Sequence, residues 1–394
     1  MSVLSVEVQG STREFQRIVG SFKGDDGPTV VCVGGIHGNE ASGVVALKEV
    51  FSVLQSKRPS FRGELVGVAG NLSALSRSLR YINEDLNRIW TPERVRQIKT
   101  TAPSPFEDGE DVEMRELLAA LEAVFDRSRG EVYFMDLHTS SAFGAPFVLL
   151  GDTLRNRRFA FEFPVPVILG LEEQIDGTLL EYVNGLGHVT LGFEAGEHHQ
   201  TTSVENQEAA IWIALMAAGN LESGSVSEAE EARNKLTASV DHLPQVLEIR
   251  YRHEVKPHDD FVMQKGFRNF QKIHARERLA TDRHGDVLAE CDGRILLPLY
   301  QGLGDDGFFI GRDIKPFWLR VSSLLRYLRA DRLVPWLPGV RRHPDQPNTF
   351  VVNRQVARWL VPQIFHLLGF RKKRVTGDKI IVSRRLYDLR GPNG

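Results

Sequence analysis

Thr29–Glu40, TVVCVGGIHGNE, decides how this chain is read. The opening apolar run reads as a buried strand, and it ends in two glycines, a histidine and, three positions later, a glutamate. ASGVVALKEVFSVLQ follows with apolar residues at helical spacing. The tip is therefore either an ordinary strand-to-helix turn or half of a metal site. Gly34 and Gly35 would let the chain turn sharply there and would leave room beside a metal.

The pattern repeats along the first 220 residues. GELVGVAG, EVYFMDLHTS and HVTLGFEAG read as strands, MRELLAALEAVFDRS and VENQEAAIWIALMAAG as helices. This predicts an α/β fold with a mixed, largely parallel central sheet flanked by helices. Ligands in such sheets sit at the carboxyl ends of the strands, where the polar tips lie. Residues 1–220 are thus expected to form a catalytic domain. Residues 221–242 are polar and acidic and read as a linker. QVLEIRYRHEV through GFFIGRDI alternates at period two, predicting a smaller β-rich domain over 243–316. From 317 to 394 the pattern turns basic and partly helical.

Apolar residues make up 42% and charged residues 25% of 394, an ordinary globular composition. The net charge of −2 argues against a nucleic-acid partner. It conceals an asymmetry: from Arg320 onward stand 16 Lys or Arg against 4 Asp or Glu, leaving 33 against 47 before it. RKKRVTGDK in this basic region could meet an acidic partner, an anionic lipid surface or RNA. The plainer reading is a solvated basic face, or one that balances the acidic body or a neighbouring subunit. Two cysteines far apart imply no disulfide framework and suit a reducing cytoplasm. No apolar run reaches the roughly 18 residues of a membrane span, and the N-terminus lacks the pattern of a signal peptide.

His37 and Glu40 form an H-x-x-E pair, which alone is weak: HARE repeats the spacing at His274 and Glu277 without any apolar strand before it. A catalytic zinc needs three protein ligands of this type and one open position. DLHTS offers His138 at the end of another strand, with Asp136 placed to orient its imidazole. GFEAGEHH offers Glu194 as a general base directly after a third strand. Glu197, His198 and His199 read as solvent-facing. RYINEDLNRIW packs Arg80, Asp85, Asn87 and Arg88 among aliphatic and aromatic residues, Leu79 included. Arginine forks there suit a carboxylate or a developing oxyanion.

In this order, GGIHGNE, RYINEDLNR, DLHTS and GFEAG resemble the succinylglutamate desuccinylase/aspartoacylase family, related to the zinc carboxypeptidases. The resemblance implies one zinc ion held by His37, Glu40 and His138, with Glu194 as general acid/base. It implies that Arg80 polarises the scissile carbonyl, while Asn87 and Arg88 grip a substrate carboxylate. The expected activity is cleavage of an N-acyl amino acid by metal-activated water. The alternatives are a carboxypeptidase acting on short peptides and an inactive metal-binding scaffold. The sequence departs from the family in three places, one being the basic segment after Phe317, which lies beyond the matching part. LLEYVNGLGHVTLGFE lacks the arginine that receives a second substrate carboxylate. The tyrosine that the C-terminal domain lends the site could be Tyr300 or Tyr251. A small carboxylate-bearing amide is the expected partner, and homo-oligomerisation is left open.

Overall fold

The computed structural model describes residues 15–102, 109–240, 242–353, 361–376 and 379–392. The chain opens with β1 (Ile18–Lys23), β2 (Asp25–Gly34), α1 (Ser42–Lys57), β3 (Arg62–Ala69), α2 (Leu72–Arg77), α3 (Pro92–Thr100) and α4 (Glu110–Arg127). Then come β4 (Val132–Ser140), β5 (Phe147–Leu149), α5 (Leu154–Ala160), β6 (Val167–Leu169), α6 (Leu179–Gly185), β7 (Val189–Glu197) and α7 (Thr201–Ala218). In β2, Val30 and Cys32 face one apolar cluster with α1 and α7, while Val31 and Val33 face another with α3, α4 and α6. A strand buried on both faces needs apolar residues at every position, which is why TVVCV does not alternate. β2 runs parallel to β3 and β4, and β4 parallel to β7.

The segment expected as a linker carries α8 (Ser227–Ala238) instead. Its polar composition is that of a helix showing one side to water, while Ala229 and Leu236 are buried in the cluster shared with α7. β8 (Val246–Glu254), β9 (Val262–Met263), β10 (Lys272–Ile273), β11 (Arg278–Asp282), β12 (Gly285–Leu288), β13 (Gly293–Leu296) and β14 (Asp306–Asp313) follow. The β-rich region does not stand apart. β6 pairs with β8, so one eleven-stranded sheet runs β1-β3-β2-β4-β7-β5-β6-β8-β14-β13-β10, and only β12-β11-β9 forms a separate small sheet.

The basic C-terminal region holds α9 (Pro316–Tyr327), β15 (Val340–Arg342), β16 (Thr349–Asn353), α10 (Val361–Leu367), β17 (Phe370–Thr376) and β18 (Lys379–Arg384). The four strands form an antiparallel sheet, β15-β16-β18-β17, where helix was expected over much of the stretch. Cross-strand partners override helical spacing here: Phe350 and Val352 pair with Val382 and Ile380 around Phe365 and Phe370. Residues 354–360 of the expected helix lie outside the described residues. Among the described residues no helix is long and apolar enough to cross a membrane.

Candidate active site

His37 and Glu40 sit on the turn from β2 into α1, and His138 lies near the end of β4, one strand over. Gly35 makes the turn with φ of +73°, a conformation that side chains disfavour. The space beside both glycines is already filled: a Cβ on Gly34 would lie 2.7 Å from the backbone of Gly43 in α1, and one on Gly35 would meet Leu75. These glycines admit the helix, and the expectation that they leave room beside a metal is corrected.

All three candidate ligands are buried, and their donor atoms lie within 4.8 Å of one another. Glu40 Oε1 is 2.8 Å from His37 Nδ1, and Glu40 Oε2 is 3.1 Å from His138 Nδ1. The remaining ring nitrogens are held from behind. His37 Nε2 meets Asp85 Oδ1 at 3.1 Å, and His138 Nε2 meets Asp136 Oδ2 at 2.9 Å. Each imidazole is thereby oriented with Nδ1 toward a common point, the arrangement that carboxylate–histidine pairs give a metal site. Burial would raise the Glu40 carboxyl, but His37 and His138 outweigh it and hold it well below the usual range. Burial likewise opposes a charged His138, and Asp136 and Glu40 raise it regardless. Two imidazole nitrogens and a carboxylate with open space in front form a donor set that fits zinc.

Glu194, in β7, is the cross-strand partner of His138 and faces the same cavity. Its Oε2 is buried with no hydrogen-bond partner among the described residues. Burial, reinforced by Glu40 and Asp136, pushes this carboxyl up to about 8. Arg80 Nη2 donates to Asp85 Oδ2 at 2.9 Å, and its Nη1 lies 3.6 Å from Glu40 Oε1. The arginine loop is gathered by one carboxylate at the start of α4. Glu110 accepts from the backbone N–H groups of Ile82 at 2.7 Å, Asn83 at 2.9 Å and Glu84 at 3.2 Å. Leu86 and Trp90 anchor the loop in the core, whereas Leu79, expected beside them, is exposed.

Asn87 Oδ1 accepts the N–H of Leu179 at 2.9 Å, and its Nδ2 is 3.4 Å from His138 Nε2. Arg88 Nη2 donates to Asp306 at 2.7 Å, and Arg252 Nε donates to the other oxygen of Asp306 at 2.5 Å. Sequence reading missed Asp306 because no motif marks it; only the pairing of β14 with β8 brings it beside Arg252. It also missed His198, which lines the cavity rather than facing solvent. His198 is held between Thr139 Oγ1 at 2.7 Å and Gln301 Oε1 at 3.1 Å. Neither tyrosine candidate lines the cavity. Tyr300 is tied by its hydroxyl to backbone groups of Gln264 and Phe267, and Tyr251 stacks near His253. The HARE pair is a surface turn in which Glu277 accepts the N–H of His274.

The site opens into a cavity of about 760 Å³ bounded by the catalytic domain, by Leu297–Asp306 and by β17 and β18. The fold is that of a solved succinylglutamate desuccinylase/aspartoacylase from Rhodobacter sphaeroides, at 18% identity, with a TM-score of 0.53 over 76% of this chain and 88% of that one. It is shared by the ectoine utilization protein EutE (DoeB) of Ruegeria pomeroyi, at 19% identity, with a TM-score of 0.55 over 74% and 87%. Residues 26–218 match the family described as the succinylglutamate desuccinylase/aspartoacylase catalytic domain. A protein of Nostoc sp. strain PCC 7120 named probable aspartoacylase is 30% identical over 124 residues, which span 31% of this chain and 39% of that relative.

Proposed function

We propose that this chain is a zinc-dependent hydrolase that cleaves the amide bond of an N-acyl amino acid. The observation that carries the proposal is the convergence of His37, Glu40 and His138 beside a buried carboxyl, Glu194, whose Oε2 has no partner among the described residues. A purely structural metal would need a closed shell and no such neighbour. Bound by these three residues, zinc supplies Lewis acidity at the scissile carbonyl.

The protein's own groups divide the remaining work. Asp85 and Asp136 keep the imidazoles aimed, so the ligands need no rearrangement during reaction. Glu194 Oε2 takes the proton from the attacking water and returns it to the leaving nitrogen. A cation held beside His138 favours the ionised carboxyl that this role requires. Arg80, fixed by Asp85, presents its guanidinium to the developing oxyanion. The Arg88–Asp306–Arg252 cluster retains one net positive charge to receive the substrate carboxylate. Cys32 and Cys291 are both free, which suits a cytoplasmic setting.

The test is metal removal and restoration. The chelated protein should lose hydrolysis of N-acyl amino acids and regain it with one zinc ion per chain. Equal activity with and without metal would refute the proposal.

A further inference from the structure

We infer that the C-terminal module, from α9 through the segment that follows β18, walls the catalytic cavity and selects substrates with a single carboxylate and a bulky apolar remainder. This rests on the deacylase reading above and extends it to the substrate. Nine carboxyl groups and five guanidiniums line the cavity among the described residues. Every one of those guanidiniums is already paired. Arg80 meets Asp85, and Arg88 meets Asp306. In the module, Arg371 meets Glu181, Arg384 meets Asp331 at 2.9 Å, and Arg385 meets Glu172 at 2.7 Å.

A second substrate carboxylate would therefore have to break an ion pair inside a wall already rich in carboxyl groups, a costly exchange in a partly buried site. One part of the wall is apolar. Trp90 and Tyr182 stand with ring centroids 5.5 Å apart, continued by Ile175, Leu180 and Leu186 and by Leu386 from the module. An apolar patch beside charges that are already paired with one another favours uncharged, bulky groups. Each buried methylene should raise kcat/KM about fourfold.

The test compares N-acetylaspartate and N-succinylglutamate with N-acetylphenylalanine and N-octanoylglycine on the zinc-loaded full chain. The last two separate an apolar amino acid from an apolar acyl group. At least one apolar substrate should exceed both dicarboxylates about tenfold in kcat/KM. Leu386→Asp, at an exposed position, should remove most of that advantage. Preference for a dicarboxylate would overturn the inference, as would a Leu386→Asp protein with unchanged selectivity. Calorimetry separates the two readings: octanoate should bind the Glu194→Gln protein at least about tenfold more tightly than succinate. If no amide is hydrolysed but octanoate still binds preferentially, the deacylase reading fails and the cavity assignment stands; tighter succinate binding sinks the cavity assignment itself.

A separate observation assigns the outer face of the same module. Phe317, Trp318, Leu324, Tyr327, Leu328, Leu333 and Trp336 are all exposed, within α9 and the turn after it. From residue 315 to residue 342 the exposed charges, Lys315, Arg320, Arg329, Arg332, Arg341 and Arg342, are all positive and Asp331 is paired with Arg384, while the exposed Asp313 and Asp345 lie just outside that span. Aromatic and aliphatic side chains rimmed by cations complement an anionic bilayer surface, and we propose that this face docks on one. The full chain should float with vesicles of phosphatidylcholine and phosphatidylglycerol, and be released by high salt or by Trp318→Ser, Leu324→Ser, Leu328→Ser and Trp336→Ser combined. Failure to bind those vesicles would overturn the proposal, as would a dimer in light scattering that the same four changes dissolve.

Discussion

Raising the pH from 6.5 to 9 should loosen the C-terminal module, and the magnitude follows from one histidine. His366 on α10 reaches across to the body of the protein, with Nδ1 2.8 Å from Glu248 of β8 and Nε2 3.1 Å from Glu173. Burial disfavours its charge, but those two carboxylates overcome it and raise the imidazole from 6.5 to about 9. A group whose pKa is higher in the folded state stabilises that state while both forms are protonated. The contribution is therefore complete below 6.5 and is lost as pH climbs through 9. At 1.36 kcal/mol per unit, a rise from 6.5 to about 9 corresponds to roughly 3 kcal/mol. The assay is urea unfolding between pH 6 and 9.5, with hydrogen exchange over α10 to localise the change. Wild type should lose about 2–3 kcal/mol across that window, and His366→Gln should start lower and stay flatter. Parallel curves for the two proteins would refute the reasoning.

Three further outcomes follow from the site and the module. Glu194→Gln should lower kcat by about 10²- to 10⁴-fold while metal analysis still finds zinc at wild-type occupancy. Asp85→Asn and Asp136→Asn should each weaken zinc binding about 10- to 100-fold in a chelator competition, whereas His274→Ala should leave it unchanged. Arg326→Ala should cost about 3 kcal/mol in chemical denaturation, because the buried guanidinium pairs with Asp152 at 2.7 Å and Asp388 at 3.4 Å; its loss removes the cation beside Asp388 and leaves Asp152 with Arg157 alone.

Part of the basic tail's charge is spent inside the chain: Arg326 on Asp152, Arg385 on Glu172 and Glu173, Arg371 on Glu181. The charge asymmetry between the two parts is thus partly an attraction within one protein, and removing the tail would strip partners from the acidic body.

Sequence alone determined the strand-to-helix units of the catalytic domain and the polar tips at their ends. The reason is local: strands buried on both faces need unbroken apolar runs, as in TVVCV, and their tips then stand out. It also marked His37, Glu40, His138 and Glu194 as candidates, since each sits on or beside such a run. What tertiary structure decided lies between elements far apart in the chain. Asp85 behind His37, Asp306 between Arg88 and Arg252, and Gln301 on His198 are contacts across 48, 218 and 103 residues, with no pattern to announce them. The module's sheet was hidden for the same reason. TFVVN becomes a strand because β18 lies beside it, and a strand's partner is a property of the folded chain.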